Sequence, residues 1–231
     1  MRTVLTALIV TLLTAGPLLA QDHAKGGADA RGYVAGLGGF ATSLGNTTGD
    51  MLVEGGARIA PYVMAIGNLG HFANLQADLQ PTLDAATADL AANQGLSVIG
   101  GGNLPAWYGT GGLRVDIPTG SRVWPYVLGS MGVARINPEP TFSFSGGALP
   151  DGTTPDVGTD VTAAIVSAGG FTAPPASNAF MFTFGGGGEL RVAKRWVVDA
   201  GYRYSRIAAD STLSASPLNT NGMTFGVGYR F

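Results

Sequence analysis

Residues 223–231 read MTFGVGYRF and alternate strictly between two kinds of side chain. The large apolar members, at every second position, are Met223, Phe225, Val227, Tyr229 and Phe231. A period of two predicts a β-strand whose two faces meet different surroundings. Because an exposed apolar strand promotes edge-to-edge association in water, we expect an apolar phase to cover this face.

The composition of the 231-residue chain favours a β-barrel that spans a membrane. Charged residues make up only 12% of the chain, against roughly 25% in ordinary soluble domains. The 37 glycines and the lack of apolar runs of ~20 residues fit strands whose lipid face uses alternate positions, and they exclude spanning helices. The formal net charge of -2 argues against a nucleic-acid partner, and the lack of cysteine excludes disulfides and thiolate metal sites.

The first 20 residues have the pattern of a cleaved secretory signal peptide. Met1-Arg2 is basic, residues 4–13 are mostly apolar, and the small residue Ala20 precedes the expected cleavage point. The sequence therefore predicts a signal peptide at 1–20, a flexible leader at 21–30 and a barrel domain at 31–231.

Eight segments have the pattern expected of barrel strands. They are residues 31–42, 50–60, 62–72, 104–116, 122–136, 178–192, 195–207 and 221–231. Their connections are short at one end and longer at the other, where residues 73–103 and 137–177 form the longest loops and 43–49 an intermediate one. This plan predicts an all-β, eight-stranded antiparallel up-and-down transmembrane β-barrel with short periplasmic turns and longer outer loops. Pro81 in a first turn and Gly95 beyond the last turn predict a short helix at 81–92.

Charged residues on these strands share one face with small and polar residues. We expect this face to point into the lumen, since an Arg or Lys facing lipid at the midplane costs ~2–4 kcal/mol. The predicted lumen charge network has both signs and comprises Glu54, Arg58, Arg114, Asp116, Glu189, Arg191, Asp199, Arg203 and Arg230. Glycines predicted on the same face, among them Gly36, Gly56 and Gly201, indicate a sparsely filled lumen.

Aromatic residues near the strand ends predict girdles at the two membrane interfaces. The girdle toward the short turns would contain Tyr33, Tyr62, Trp124, Tyr126, Trp196 and Phe231. The girdle toward the long loops would contain Phe72, Trp107, Tyr108, Phe180, Phe182 and Tyr204.

The chain shows no constellation of residues that predicts catalysis or a cofactor. Residues 185–188 (GGGG) lack the spacing of a phosphate-binding loop, and His71 has no serine near it on its predicted strand. Two histidines without cysteine disfavour a dedicated zinc site. We therefore predict no enzymatic activity, no catalytic or cofactor-binding residues and no dedicated metal site.

The outer loops carry carboxylates and no Lys or Arg. The acidic residues are Asp78, Asp84, Asp89, Glu139, Asp151, Asp156, Asp160 and Asp210. Two interpretations remain open. The loops could form a solvated, mutually repulsive surface, or they could bind divalent cations that bridge to anionic lipid headgroups, because carboxylate oxygens are natural calcium and magnesium ligands.

Over residues 31–231 the chain resembles the OmpA-like family of small eight-stranded outer-membrane β-barrels. Its last strand resembles the signal read by the barrel-assembly machinery, polar-x-Gly-x-x-aromatic-x-aromatic, with Thr224, Gly226, Tyr229 and Phe231 at the matching positions. The resemblance implies localisation in the cell outer membrane, contact with outer-membrane lipid and engagement of the assembly machinery during insertion. We expect a monomer.

Three functions are compatible with such a barrel. A structural or surface-interaction role is the one we favour. A narrow channel for small solutes is the alternative, and a lipid-modifying barrel enzyme is disfavoured by the missing catalytic residues.

Overall fold

The computed structural model describes residues 31–43, 45–75, 79–119, 121–209 and 217–231. The predicted signal peptide and leader lie outside the described residues. The strands, numbered in chain order, are β1 (Gly32–Ser43), β2 (Asn46–Ala60), β3 (Val63–Phe72), β4 (Ser97–Asn103), β5 (Ala106–Asp116), β6 (Val123–Ile136), β7 (Glu139–Gly146), β8 (Ser177–Arg191), β9 (Trp196–Ala208) and β10 (Leu218–Arg230). Eight of them close into an antiparallel barrel in the order β1-β10-β9-β8-β6-β5-β3-β2, which confirms the predicted fold class.

Each predicted strand is a barrel strand, with its bounds shifted by a few residues at most. The intermediate loop predicted at 43–49 is wrong, because β1 and β2 pair as far as Ser43 opposite Asn46. Gly45 has a φ of 86°, which is the left-handed conformation that so tight a turn requires. The two longest connections lie at the same end of the barrel as this turn. We call it the long-loop end and the opposite end the short-turn end.

The outer face of the barrel is apolar. Exposed hydrophobic side chains at outward positions include Phe40, Val53, Leu113, Val127, Phe184, Val198 and Phe225. On the described barrel strands, the outward-facing charged residues are Arg135 and Arg206, both near the long-loop end. This face therefore has the character that a lipid environment requires.

The girdle prediction is wrong for five of the twelve aromatic residues. Tyr33, Phe72, Tyr108, Trp124 and Tyr126 point into the lumen and are at most 8% exposed. Position along a strand places a ring near an interface, but only its parity in the strand decides whether it faces lipid or lumen. On the outward face, Trp196 contacts Tyr229, with ring centroids 5.3 Å apart.

The two long connections fold together into a second unit at the long-loop end. They contribute α1 (Leu79–Gln94), α2 (Thr162–Ser167) and the strands β4 and β7, which pair antiparallel. We call residues 79–103 and 139–175 the outer module. Helix α1 confirms and extends the helix predicted at 81–92, whereas β4, β7 and α2 were not predicted. Among the described residues, no helix is long and apolar enough to cross a membrane.

The outer module has a hydrophobic core of its own. Its buried members are Leu83, Leu90, Leu96, Phe142, Phe144, Leu149, Val161, Ile165 and Phe171. Phe142 and Phe171 meet edge-on with ring centroids 5.1 Å apart. Gly100 of β4 lets α1 approach closely, because a Cβ there would lie only 3.2 Å from Leu83 Cβ. Burial of these groups stabilises backbone that would otherwise be irregular loop.

Candidate functional site

Seven charged side chains form one ion-pair cluster inside the barrel. They are Glu54, Arg114, Asp116, Glu189, Asp199, Arg203 and Arg230, and each is at most 7% exposed. They come from inward-facing positions on β2, β5, β8, β9 and β10, because alternation places every second residue of a strand in the lumen. Three arginines thus face four carboxylates at close range.

Arg114 occupies the centre of the cluster. Its Nε lies 2.8 Å from Asp116 and its Nη2 lies 2.9 Å from Glu189. Its Nη1 lies 3.6 Å from both Glu54 and Asp199. Only 1% of this side chain is exposed, so its charge depends on these four carboxylates for compensation.

Arg203 and Arg230 extend the cluster in opposite directions along the barrel. Arg203 Nη2 donates a hydrogen bond to Glu54 at 2.8 Å. Arg230 Nη2 donates to Glu189 at 2.7 Å and to Asp116 at 3.2 Å. Together with Arg114, these arginines engage carboxylate oxygens from several strands, so the cluster ties distant parts of the barrel wall to one another.

Two inward-facing tyrosines pack around Arg114. Tyr126 donates a hydrogen bond to Asp199 at 2.8 Å, and Tyr33 donates one to Glu54. The Arg114 guanidinium lies 3.7 Å from the centroid of the Tyr126 ring and 5.2 Å from that of Tyr33, within the range of cation–π attraction. Sequence analysis missed both tyrosines because it assigned them to a girdle.

Small residues opposite the tyrosines make room for their rings. A Cβ on Gly201 would lie 2.6 Å from the Tyr126 hydroxyl, and one on Gly56 would overlap the ring of Tyr33. The expectation of a sparsely filled lumen is therefore wrong. Gly36 also differs from the expectation, since it faces outward with nothing within 4 Å of its Cβ position.

Apolar side chains fill the lumen at the long-loop end. We call them the outer plug: Phe72, Leu75, Leu104, Ala106, Ala134, Ile136, Ala179, Met181, Ile207 and Leu218. Between the outer plug and the ion-pair cluster, a cavity of about 10 Å³ is lined in part by Asp50, Arg203 and Thr224. This is about the volume that a single water molecule needs.

Arg58 and Arg191 lie apart from the ion-pair cluster, although both belong to the predicted lumen network. Both occupy inward positions near the short-turn end, and neither forms an ion pair with any described residue. Arg191 stacks on Trp124, with the guanidinium 3.8 Å from the ring centroid. The Nε atoms of both arginines are buried, and within the described ranges they have no hydrogen-bond partner. All four arginines, Arg58, Arg114, Arg191 and Arg230, stand near the ends of strands that run toward the short turns. Their positions in the sequence therefore could not show that Arg58 and Arg191 lie outside the ion-pair cluster.

His71 occupies an outward position on β3, and its ring packs against Trp107 with centroids 4.5 Å apart. In the part of the chain that the structure describes, no group of three or more His, Cys, Asp or Glu side chains could hold a metal ion. The predicted lack of enzymatic activity and of cofactors remains a prediction.

The outer module is uniformly acidic. It contains Asp84, Asp89, Glu139, Asp151, Asp156 and Asp160 and no Lys or Arg, while Asp78 and Asp210 lie outside the described residues. Asp160 accepts hydrogen bonds from the Thr162 hydroxyl at 2.6 Å and the Thr162 backbone N–H at 2.9 Å. Asp151 accepts the same pair from Thr153. These hydrogen bonds favour the charged form and so lower the pKa of each carboxyl, with the hydroxyl bond contributing more than the N–H bond.

The residues of the predicted assembly signal divide between the two faces of the terminal strand. Thr224 and Gly226 face the lumen, whereas Tyr229 packs outward against Trp196. Phe231 follows β10 and is 61% exposed. Phe231 and the partly exposed Tyr229 offer an aromatic surface at the short-turn end that another protein could contact, and its recognition by the assembly machinery remains a prediction.

No protein-family model and no curated protein matches the chain. Solved structures do match. Neisserial surface protein A is 15% identical, with a TM-score of 0.53 over 87% of this chain and 98% of that one. Ail, the attachment invasion locus protein of Yersinia pestis, is 14% identical over 87% and 97%, with a TM-score of 0.46. The outer membrane protein OprG of Pseudomonas aeruginosa is 13% identical over 89% and 98%, with a TM-score of 0.45. At 15% identity, the likeness to Neisserial surface protein A is one of fold, and this chain has the fold of a small eight-stranded outer-membrane β-barrel.

Proposed function

We propose that this chain is an integral outer-membrane protein whose barrel anchors the outer module at the cell surface, where the module binds a partner. The observation that carries the proposal is the folded state of the two long connections, with Leu90, Phe142 and Phe144 in a shared core. Connections that only close a barrel need no core, since surface loops tolerate wide variation. A pre-ordered surface favours recognition because less conformational entropy is lost on binding.

The membrane location is supported by the apolar outer face and by the inward placement of the lumen charges. The predicted signal peptide at 1–20 would supply export, and the pattern ending at Phe231 would direct insertion. A closed barrel also leaves no unpaired strand edge in its wall, which favours a monomer.

The charge of the outer module favours a basic partner. Six carboxylates without a neighbouring Lys or Arg in residues 79–103 and 139–175 create a negative potential that attracts cationic groups and weakens with salt. Divalent cations that bridge the module to anionic lipid headgroups are the other source of counter-charge consistent with this surface.

The alternative functions have less support. The outer plug and the ion-pair cluster fill the lumen, which argues against a channel for solutes. Catalysis on lipid would need an acid or base that is free to act. The described lumen carboxylates engage arginines or tyrosines, and His71 faces outward against Trp107.

Binding by nanodisc-embedded protein tests the proposal. The wild-type protein and two variants would be tested on an array of surface glycans and extracellular proteins. In one variant, short turns replace residues 79–103 and 139–175. The other variant, Leu90→Asp, keeps the full chain length but disrupts the module core. We expect at least one saturable interaction that weakens with salt and is lost in both variants, while heat-modifiable migration shows that both barrels are folded. Interactions that survive in both variants, or none in the wild type, would contradict the proposal.

A further inference from the structure

Three arginines at the short-turn end of the lumen have hydrogen-bond donors that no described residue satisfies. We call Arg58, Arg191, Arg230 and the indole of Trp124 the short-turn mouth. Arg58 and Arg191 are partly exposed, and their buried Nε atoms lack hydrogen-bond partners among the described residues. Arg230 is 4% exposed, and its buried Nη1 also lacks a partner in the described structure.

The nearest carboxylates are already engaged. Glu189 accepts hydrogen bonds from Arg114 and Arg230 at 2.9 and 2.7 Å. Asp116 accepts from the same two arginines at 2.8 and 3.2 Å. Glu189 Oε1 has no hydrogen bond among the described residues, but it lies 2.6 Å from Arg230 Nε as an ion pair. Both carboxylates are therefore already paired with Arg114 and Arg230.

Like charges also face one another in this region. Arg230 pairs with Tyr33, which lies opposite Gly56, two residues before Arg58. Arg191 lies opposite Val197, which also pairs with Gly228, two residues before Arg230. At these positions the charges of Arg230 and Arg58 act unfavourably on the Arg191 guanidinium, while those of Glu189 and Asp116 act favourably on it. Stacking on Trp124 holds Arg191 in this position, since the guanidinium lies 3.8 Å from the ring centroid. Buried donors without acceptors and confined like charges are costly, and an anion bound among them would relieve both costs.

We propose that the short-turn mouth is a binding site for a phosphate group. Guanidinium forks match the oxygens of phosphate and carboxylate, and three forks around one ligand favour the anion with more acceptor oxygens. The phosphate can come from solution or from the headgroup of a phospholipid beside the barrel rim, because both offer the same tetrahedral oxyanion.

Trp124 provides a reporter inside the site. In a Trp107→Phe/Trp196→Phe background, Trp124 is the one remaining tryptophan of the chain. The refolded protein in a phosphate-free glucoside detergent would be titrated with inorganic phosphate and, separately, with short-chain phosphatidylglycerol, at constant ionic strength maintained with chloride. Calorimetry in parallel gives a readout that does not depend on the indole environment.

We expect a saturable response to at least one of the two titrants. A response to inorganic phosphate assigns a free-phosphate site, and a response to the lipid alone assigns a headgroup site. Arg58→Ser/Arg191→Ser should weaken binding about tenfold or more, whereas the matched pair Arg135→Ser/Arg206→Ser at the opposite end should leave the Trp124 response unchanged. If the first double variant does not refold, Arg58→Ser alone, which keeps the Arg191–Trp124 stack, decides the question by calorimetry. No saturable response to either titrant, or an equal response after loss of the mouth arginines, would overturn the proposal.

Discussion

Replacing Arg114 with methionine removes the central cation of the ion-pair cluster while keeping a long apolar side chain. Four carboxylates lie within 3.6 Å of this guanidinium, two of them at 2.8 and 2.9 Å, and the side chain is 1% exposed. Removing one partner of a buried ion pair typically costs ~3–5 kcal/mol, because the other charge is left uncompensated. Since several carboxylates lose their shared cation, we expect a loss of unfolding free energy of about 5 kcal/mol, at the upper end of that range.

Urea unfolding of protein refolded in lipid vesicles, followed by tryptophan fluorescence, measures this loss. With a denaturant slope of about 2 kcal/mol per molar, the urea midpoint should fall by about 2.5 M. Arg135→Met removes an exposed arginine from a barrel strand and is the matched control, with an expected change below about 0.5 kcal/mol.

A second variant separates lost charge compensation from lost packing. Asp199 forms its described ion pair with Arg114 alone, and asparagine can still accept the Tyr126 hydrogen bond. Arg114→Met/Asp199→Asn should therefore be more stable than Arg114→Met, because one uncompensated charge is gone. The argument fails if Arg114→Met unfolds at the same urea concentration as Arg135→Met, or if the Asp199 change lowers stability further.

Three more predictions follow from the lumen, the terminal strand and the outer module. Gly201→Ala should lower the unfolding free energy by about 1–3 kcal/mol through overpacking against the Tyr126 hydroxyl, and this loss should couple to Tyr126→Phe in a double-mutant cycle. Gly36→Ala should leave the unfolding free energy unchanged. Equal losses at the two glycines would contradict the claim that Gly201 makes room for Tyr126. Phe231→Asp should lower the amount of heat-modifiable, folded protein in the outer membrane, and wild-type levels would refute the assembly-signal prediction. Hydrogen bonds lower the pKa of Asp160, so its contribution to module stability is present above the unfolded pKa of roughly 4 and is lost as pH falls through the folded pKa. Hydrogen-exchange protection of the module should decline over that pH range in the wild type. The share of the decline that comes from Asp160 should be missing in Asp160→Asn.

Sequence periodicity predicted the barrel because lipid outside and a packed lumen inside impose alternation on every strand. On β9, Asp199 and Arg203 face inward while Val198 and Tyr202 face outward, as the alternation indicates. The same rule could have placed Tyr108 in the lumen, since it shares the parity of Arg114 on β5. For Tyr33 the guide is weaker, because β1 itself carries no charged residue and Arg31, which shares the parity of Tyr33, stands just before it.

The outer module could not be predicted from local patterns for a different reason. Strands β4 and β7 pair across an intervening pair of barrel strands, with Ile99 opposite Ser143, and such long-range pairing leaves no mark within either segment. The glycines at 100–102 weaken the strand pattern of β4, although Gly100 is needed for close packing against Leu83. Helix α1 was predictable because its stop and start signals are local.

Conductance of the refolded protein in a planar lipid bilayer tests the central claim, that the barrel is a filled anchor for the outer module and not a channel. The outer plug and the ion-pair cluster predict no steady ionic current, and Arg58→Ser/Arg230→Ser should not create one because the apolar plug at the other end remains in place. A large, steady conductance in the wild-type protein would contradict the account.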